Sequence, residues 1–271
     1  VTAVMWHNHK LLDIDDDGWV RIACGGGDSG GEAGFGGDGG PAGTALLRQP
    51  SDATRDDAGN LYLVDQLNLR IRRVDPSGTI TPIPTIAGSG DPGDSGDGGP
   101  AIDATFRFEG GDNPNPSGGI LHHQGRLYIA DTGNHCVRRI ERNGTITTVA
   151  GSCEGISSGG GQLTGGAIRS IRAHEVYDCY FGELCRATET ALQDPTSLAF
   201  DRDGGLYITD ERNHVVLFVG RDGYLSIAAG GGGPEDGVGD GLPAAQASLF
   251  FPGGIAVAPD GTLYIADYGN E

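Results

Sequence analysis

Aspartate, asparagine and histidine recur at fixed positions along the chain, and these residue types supply ligands and hydrogen-bonding groups in many binding sites. Each of four aspartates ends an apolar segment of nearly constant sequence, such as Leu127-Tyr128-Ile129-Ala130-Asp131, and two of them precede an Asn-His pair. We predict a binding edge formed by the following residues: Asp65, Asp131, Asn134, His135, Asp210, Asn213, His214 and Asp267.

A second set of carboxylates lies in glycine-rich loops. Asp38 and Asp97 occur in Gly-Asp-Gly-Gly-Pro-Ala, and Asp240 occurs in Gly-Asp-Gly-Leu-Pro-Ala. Ca²⁺ prefers several oxygen ligands, including the backbone carbonyls that such loops expose. Asp and Gly also form ordinary turns, and we favour that interpretation. We therefore predict no cofactor, with Ca²⁺ as the ion that these loops could hold, and we expect the loops to lie on the same rim as the Asn-His turns.

The elements that position these residues are short strands. Each repeat contains four segments rich in Val, Ile, Thr and Tyr, separated by turns rich in Gly, Asn and Asp, which is typical of antiparallel strands. A four-stranded meander cannot bury both of its faces alone, so such units pack face to face around an axis. The sequence therefore predicts an all-β fold, a β-propeller of four-stranded antiparallel blades. The outer strands are expected to be half solvated, and they carry Arg72, Arg73, Arg138 and Arg139.

The repeated turn resembles the signature of the NHL-repeat β-propellers. Asn134-His135, followed by Val137-Arg138-Arg139, carries the resemblance; Asn213-His214 repeats it and Asn8-His9 echoes it. The Gly-Asp-Gly-Gly-Pro-Ala loops look like those of NHL regions in large secreted or surface bacterial-type proteins, including teneurin-like and toxin-associated ones. This family includes scaffolds, ligand-binding domains, RNA-binding domains and a few lyases, so the resemblance implies a fold more than a function.

The repeats define one propeller region, residues 1–271. We predict a partial blade and loop, two blades, a blade with a Cys-containing insertion, and a partial blade, with these boundaries: 1–40, 41–90, 91–152, 153–233 and 234–271. Three complete and two partial blades would close awkwardly. We therefore expect the chain to be a fragment of a larger ring, six-bladed as is common in the family, and part of a larger chain or assembly.

Two functions of different classes are consistent with the resemblance. We favour a noncatalytic module that binds a protein or a glycan, or serves as a scaffold, through its loop-rich rim. The alternative is a metal-dependent lyase or hydrolase with its site in the central channel, for which His122 is a weak metal candidate. His122 and His123 are adjacent strand residues that point to opposite faces, so they cannot readily ligate one ion. His9, His135 and His214 are expected to form hydrogen bonds within their turns, and we predict no catalytic residue.

Composition narrows the partners and the compartment. The net charge of −19 repels phosphate backbones, so we expect no nucleic-acid partner. No apolar stretch approaches the length of a membrane-spanning helix, so we expect no direct membrane insertion. The acidic composition and the cysteines favour a secreted or cell-surface location.

Three of the five cysteines lie in the longest insertion: Cys153, Cys179 and Cys185. A bridge there would remove entropy from an open loop, and we predict either Cys179 with Cys185 or Cys153 with one of them. The alternative is that all five cysteines are free thiols packed as small apolar residues. A zinc site is disfavoured because no C-x-x-C pair exists.

Overall fold

A computed structural model describes residues 1–26, 31–76, 80–109, 116–153, 185–233 and 239–270. It divides into two compact units. The first contains Val1–Gly133 and Arg138–Thr147, and the second contains Asn134–Val137 and Thr148–Glu271. Within the described ranges, no helix has the length and apolar character needed to cross a lipid bilayer.

Short strands joined by single 3-10 turns make up the described structure. The strands are β1 (Thr2–Met5), β2 (Lys10–Ile14), β3 (Val20–Gly25), β4 (Pro50–Arg55), β5 (Leu61–Asp65), β6 (Arg70–Val74), β7 (Ile80–Ala87), β8 (Ile120–His123), β9 (Arg126–Asp131), β10 (Cys136–Ile140), β11 (Ile146–Gly151), β12 (Cys185–Arg186), β13 (Pro195–Phe200), β14 (Leu206–Asp210), β15 (Val215–Val219), β16 (Tyr224–Gly230), β17 (Pro252–Val257) and β18 (Leu263–Asp267). The 3-10 turns are Trp6–Asn8, Ala42–Thr44, Gln66–Asn68, Ala101–Asp103, Thr132–Asn134, Ala187–Glu189, Glu211–Asn213 and Ala244–Gln246.

Each sheet is an antiparallel meander in chain order. The sheets are β1-β2-β3, β4-β5-β6-β7, β8-β9-β10-β11, β13-β14-β15-β16 with β12 added beside β16, and β17-β18. This arrangement confirms the predicted all-β fold, a β-propeller built from four-stranded antiparallel blades.

The core of the first unit lies between successive sheets. Leu63 packs with Leu11 and Cys24 of the preceding sheet, whereas its neighbour Val64 packs with Ile120 of the following sheet. Both strand residues are fully buried, because adjacent strand residues point to opposite faces and both faces of β5 are covered. This explains why the repeated strand is continuously apolar.

We expected the glycine-rich loop before a blade on the same rim as the Asn-His turns, but its backbone pairs at the opposite end of the sheet. Gly98 N–H donates to Ile146 O at 2.8 Å, and Ala101 N–H donates to Gly144 O at 2.8 Å, beside the turn that joins β10 to β11. The loop therefore pairs with the outer strand at the end of the sheet opposite to the Asn-His turn, and satisfies backbone groups that would otherwise be left unpaired. In the second unit β12 makes the equivalent pairing, with Ala187 N–H donating to Gly223 O at 2.9 Å.

The disulfide of Cys153 rules out one of the two predicted alternatives, the pairing of Cys153 with Cys179 or Cys185. Cys153 is bridged to Cys136 on β10, with Cα atoms 4.9 Å apart, because the chain leaving β11 passes directly beside the neighbouring antiparallel strand. Cys185 is also disulfide-bonded, and Cys179 lies outside the described residues. The expectation of five free thiols is therefore wrong. Cys24 is a free, buried thiol, and burial raises its pKa to about 12.

Candidate functional site

The aspartate that ends each repeated strand holds the chain entering the same blade. Asp65 Oδ1 accepts the backbone N–H of Arg48 at 2.7 Å, just before β4 begins. Asp210 Oδ1 accepts the N–H of Gln193 at 2.8 Å, just before β13. Equivalent 2.8 Å bonds join Asp131 to Arg107 N–H and Asp267 to Phe250 N–H. The repeated carboxylate therefore links the end of the second strand to the start of the first strand of the same blade.

The asparagine of the turn binds the second oxygen of the same carboxylate. Asn213 Nδ2 donates to Asp210 Oδ2 at 2.9 Å, and Asn68 and Asn270 make this bond to Asp65 and Asp267 at 2.8 and 2.7 Å. Asn134 is fully buried. The Asp-x-x-Asn spacing thus lets the two side chains stabilise the turn by a mutual hydrogen bond.

Burial changes the protonation of these carboxyl groups. Asp65, Asp131 and Asp210 are fully buried. Burial raises the pKa of Asp65 to about 6 and that of Asp210 to about 7, against the lowering effect of their hydrogen bonds. Asp65 also has the Arg72 guanidinium beside it, whereas in the described part of the chain no arginine pairs with Asp210. The binding role predicted for these residues stays a prediction, because the geometry gives them a structural role.

Two arginines on third strands, Arg72 and Arg138, are buried and surrounded by hydrogen-bond acceptors. Arg72 and Arg138 have fully buried side chains, so the expectation that they are half solvated is wrong, whereas Arg73 and Arg139 are half-buried as expected. Arg138 Nη1 donates to Thr105 O at 2.8 Å, and Nη2 donates to Ser95 O at 2.9 Å. Arg72 makes the same pair of bonds to Leu46 O and Gly36 O, at 2.7 and 2.9 Å. The loop that precedes each blade is therefore tied to the third strand by one guanidinium.

Two of the three loop aspartates proposed as weak metal candidates are hydrogen-bonding partners of these arginines. Asp97 Oδ1 accepts hydrogen bonds from Arg138 Nε and Nη2 at 3.1 and 2.9 Å, and Asp38 forms an ion pair with Arg72. Asp240 is exposed. Within the part of the chain that the structure describes, no three His, Cys, Asp or Glu side chains are grouped so that they could hold a metal ion.

The histidines of the Asn-His turns contact the next sheet, whereas we expected bonds within the turn. His9 Nδ1 accepts the N–H of Gln49 at 3.0 Å, His135 Nδ1 that of Asp194 at 3.2 Å, and His214 Nδ1 that of Phe251 at 3.0 Å. Each donor directly precedes the proline that starts the next sheet: Pro50, Pro195 and Pro252. Burial lowers the pKa of His9 and His214, which keeps the ring nitrogen an acceptor.

A second set of bonds between sheets involves first strands, and sequence reasoning missed it. Asp52 Oδ2 accepts the N–H of Ile120 at 2.8 Å, and Ser197 Oγ accepts that of Ile255 at 3.2 Å. Burial raises the pKa of Asp52 to about 6. The recurrence of a short polar residue after Pro50 and Pro195 was the available signal.

His122 is placed apart from the other histidines. Its ring is nearly parallel to that of Tyr62, with an angle of 6° and centroids 6.3 Å apart, and its backbone N–H donates to Thr54 Oγ1 at 3.2 Å. The ring lines a cavity at the end of the sheets opposite to the Asn-His turns.

No family model matches the chain. In an alignment of 259 positions that covers 86% of the chain, it is 30% identical to teneurin-3 from Danio rerio, and in one of 253 positions with the same coverage it is 29% identical to teneurin-1 from Mus musculus. The chain spans about 8% of the length of these relatives.

Similar solved structures show the fold alone. A protein of unknown function from Bacteroides thetaiotaomicron matches with a TM-score of 0.55 and 18% identity, covering 98% of this chain and 63% of that one. A putative phosphatase from the same species matches with a TM-score of 0.51 and 15% identity, covering 95% and 50%.

Proposed function

We propose that this chain is a noncatalytic NHL-type propeller within a larger secreted or cell-surface protein, and that it binds a protein or glycan partner through its loop-rich rim. The supporting observation is that 86% of the chain is similar to about 8% of each teneurin, so the propeller corresponds to one region of much longer proteins. A similar role in a similar setting is the simplest inference.

The contacts of the repeated polar residues favour binding over catalysis. The Asp, Asn and His side chains that could have formed a reactive site instead accept or donate hydrogen bonds within and between blades. These side chains stabilise the scaffold, so the loops of the rim remain available for binding. Loops vary in sequence and carry function in many rigid scaffolds.

One part of this rim has the composition of an interface. Phe35 is 48% exposed and lies 4.2 Å from the Arg70 guanidinium, directly beside an Asp-x-x-Asn turn. Asn68 Nδ2 fixes this loop by donating to Gly34 O at 2.7 Å. Aromatic residues and arginine are enriched at interface cores, so we propose that Phe35 contacts the partner.

The experiment is a binding screen with the labelled chain on a glycan array and on intact cells, before and after protease treatment. We expect saturable binding to one glycan class, or protease-sensitive binding to cells, and a loss of at least about tenfold with Phe35→Ser. Trp19→Ser is the matched control, because Trp19 is 71% exposed in the turn between β2 and β3, at the opposite rim.

Absence of saturable binding in both arms would contradict the proposal. So would a purified chain that holds stoichiometric Zn²⁺ or Ca²⁺ and has a lyase or hydrolase activity that is lost with His122→Ala, since that result would assign the protein to the enzyme class.

A further inference from the structure

A cavity of about 740 Å³ lies within the first unit, between the sheet β4–β7 and the sheet β8–β11. It opens at the end of the blades that carries the β4–β5, β8–β9 and β10–β11 turns, away from the Asn-His turns. We call it the arginine groove, defined by Tyr62, Arg73, His122, Arg142 and Asn143. Its volume is in the range of small-molecule sites.

Two guanidinium groups in the arginine groove have no carboxylate partner among the residues that the structure describes. Arg73 Nε and Nη2 both donate to Asn60 Oδ1, at 3.2 and 2.8 Å. Arg142 Nε and Nη2 both donate to Gln124 O, at 3.2 and 2.7 Å. These neutral oxygens orient the two guanidinium groups without neutralising them, and each Nη1 has no hydrogen bond to a described residue.

The neighbouring cavity of the same unit provides an internal comparison. It has a volume of about 640 Å³ and lies between the sheet β1–β3 and the sheet β4–β7. There Arg21 pairs with Asp15 at 3.0 Å, and Arg55 pairs with Asp13 at 2.7 Å. Positive charge is therefore neutralised in one cavity and left unpaired in the next, in a chain whose net charge is −19.

The carboxylates that line the arginine groove are already engaged. Asp56 Oδ2 accepts Tyr62 OH at 3.0 Å and Asn60 Nδ2 at 2.6 Å; burial alone would raise its pKa, but these bonds hold it below the ordinary value. Glu141 pairs with Arg126 at 2.7 Å and with Arg139. Asp56 therefore stays charged, but the four guanidinium groups of Arg73, Arg126, Arg139 and Arg142 outnumber the two carboxylates, so the groove attracts an anion.

The arginine groove also offers aromatic rings and hydrogen-bond donors. The ring of Tyr62, from the sheet β4–β7, stacks nearly parallel to that of His122, from the sheet β8–β11, and the buried side chains of Leu127 and Ile140 line the interior. The Asn143 amide nitrogen makes no hydrogen bond to a described residue, so it can donate. Ring faces that pack against C–H groups, with donors for hydroxyls, suit a sugar ring.

We propose that the arginine groove binds a sugar carboxylate of the hexuronic acid class. Arg73 and Arg142 donate to the carboxylate from their Nη1 atoms, because Nε and Nη2 are held by Asn60 and by the Gln124 carbonyl. The sugar ring packs on Tyr62 and His122, and Asn143 donates to a hydroxyl. This site is separate from the rim of the proposed function, and either can fail without the other.

The test is calorimetric titration of the whole chain with galacturonic acid trisaccharide. We expect saturable binding, weakened at least about tenfold by Arg142→Gln because a charged hydrogen bond is lost. Arg221→Gln is the matched control, since Arg221 is an exposed arginine at the same turn position one blade further on. It should leave the affinity unchanged.

Four results would overturn the proposal. They are no heat of binding with wild-type chain, equal loss of affinity in Arg142→Gln and Arg221→Gln, equal affinity for a neutral galactose trisaccharide, and equal affinity for benzoate. The third removes the role of the carboxylate, and the fourth removes the role of the sugar.

Discussion

His9, His135 and His214 share a left-handed backbone conformation, with φ of 55°, 57° and 58°. Leu69 adopts the same conformation in the second sheet, with φ of 53°, so this backbone does not require an imidazole. What the imidazole adds is the Nδ1 acceptor for the amide that precedes the next sheet. The turn and the link between sheets are therefore two separate roles of one residue.

His214→Ala should lower the free energy of unfolding by about 2 kcal/mol, because the Phe251 amide loses its acceptor and the ring contacts with Phe250 and Phe251 are lost. Chemical denaturation measures this change. The control His7→Ala removes an exposed imidazole and should change stability by less than about 0.5 kcal/mol. Equal effects of the two substitutions would contradict the link.

Asp210 predicts a pH dependence with a definite sign. Burial raises its pKa from 3.8 to about 7, so between these values the folded chain keeps a proton that the unfolded chain releases. Its contribution to stability is therefore full at low pH and is lost as pH rises toward 7, by up to about 1.4 kcal/mol per pH unit.

The measurement is the stability difference between wild type and Asp210→Asn across this pH window, by chemical denaturation. Taking the difference removes the opposite effect of His9 and His214, whose lowered pKa values make acidification destabilising. We expect the advantage of wild type to fall as pH rises toward 7. A constant difference would show that the carboxyl group is not buried in protonated form.

At the scale of elements, a loop and a strand distant in sequence share one charge. Arg138 on β10 donates five hydrogen bonds. The acceptors are Asp97, Ser95, Thr105 and Asp131, and most of them belong to the loop before the blade. In the sheet β13–β16 the corresponding position is Leu217, which is fully buried. That blade follows the Cys-containing insertion in place of a Gly-Asp-Gly loop.

Arg138→Met should destabilise the chain by about 3–5 kcal/mol, because it leaves the Asp131 carboxylate and two loop carbonyls buried without their donor. The midpoint of urea unfolding measures this. Arg139→Met, next along the strand, removes a partly exposed ion pair with Glu141 and should cost less than about 1 kcal/mol. Similar losses of stability in the two variants would mean that the hydrogen bonds of the buried Arg138 contribute little.

The disulfide between Cys136 and Cys153 closes the end of β11 onto β10, where the insertion begins. Cys136→Ala with Cys153→Ala should lower the unfolding free energy by about 2–4 kcal/mol, measured in denaturant. Cys24→Ala is the control for loss of a buried cysteine that has no bridge, and it should cost less. A double variant no less stable than Cys24→Ala would contradict a stabilising bridge.

At the scale of the whole molecule, the sequence predicts the features that are formed within one repeat. The Leu-Tyr-x-x-Asp strands, their turns and the four-stranded blades follow from patterns within each repeat. The burial of Arg72 depends on a loop that starts far earlier in the chain, so the strand pattern alone suggested a half-solvated residue. The same holds for Cys136, whose partner Cys153 is adjacent only across the sheet.

The site residues divide in the same way. That Asp and Asn lie in turns between strands was predictable from each repeat. The link from His214 to Phe251 was not predictable from one repeat, because it joins one sheet to the next. The unpaired charges of Arg73 and Arg142 were equally hidden, since pairing depends on which carboxylates the fold brings near.

The central claim is that the repeated polar residues hold the blades together and leave ligand binding to other surfaces. Hydrogen exchange of the amides of Gln49, Asp194 and Phe251, followed by NMR, tests it most directly, because these amides lie outside regular pairing and donate to histidine Nδ1. We predict slow exchange, with His214→Ala accelerating Phe251 and leaving Gln49 unchanged. Exchange of all three in the wild type at the rate of an unfolded chain would contradict the claim.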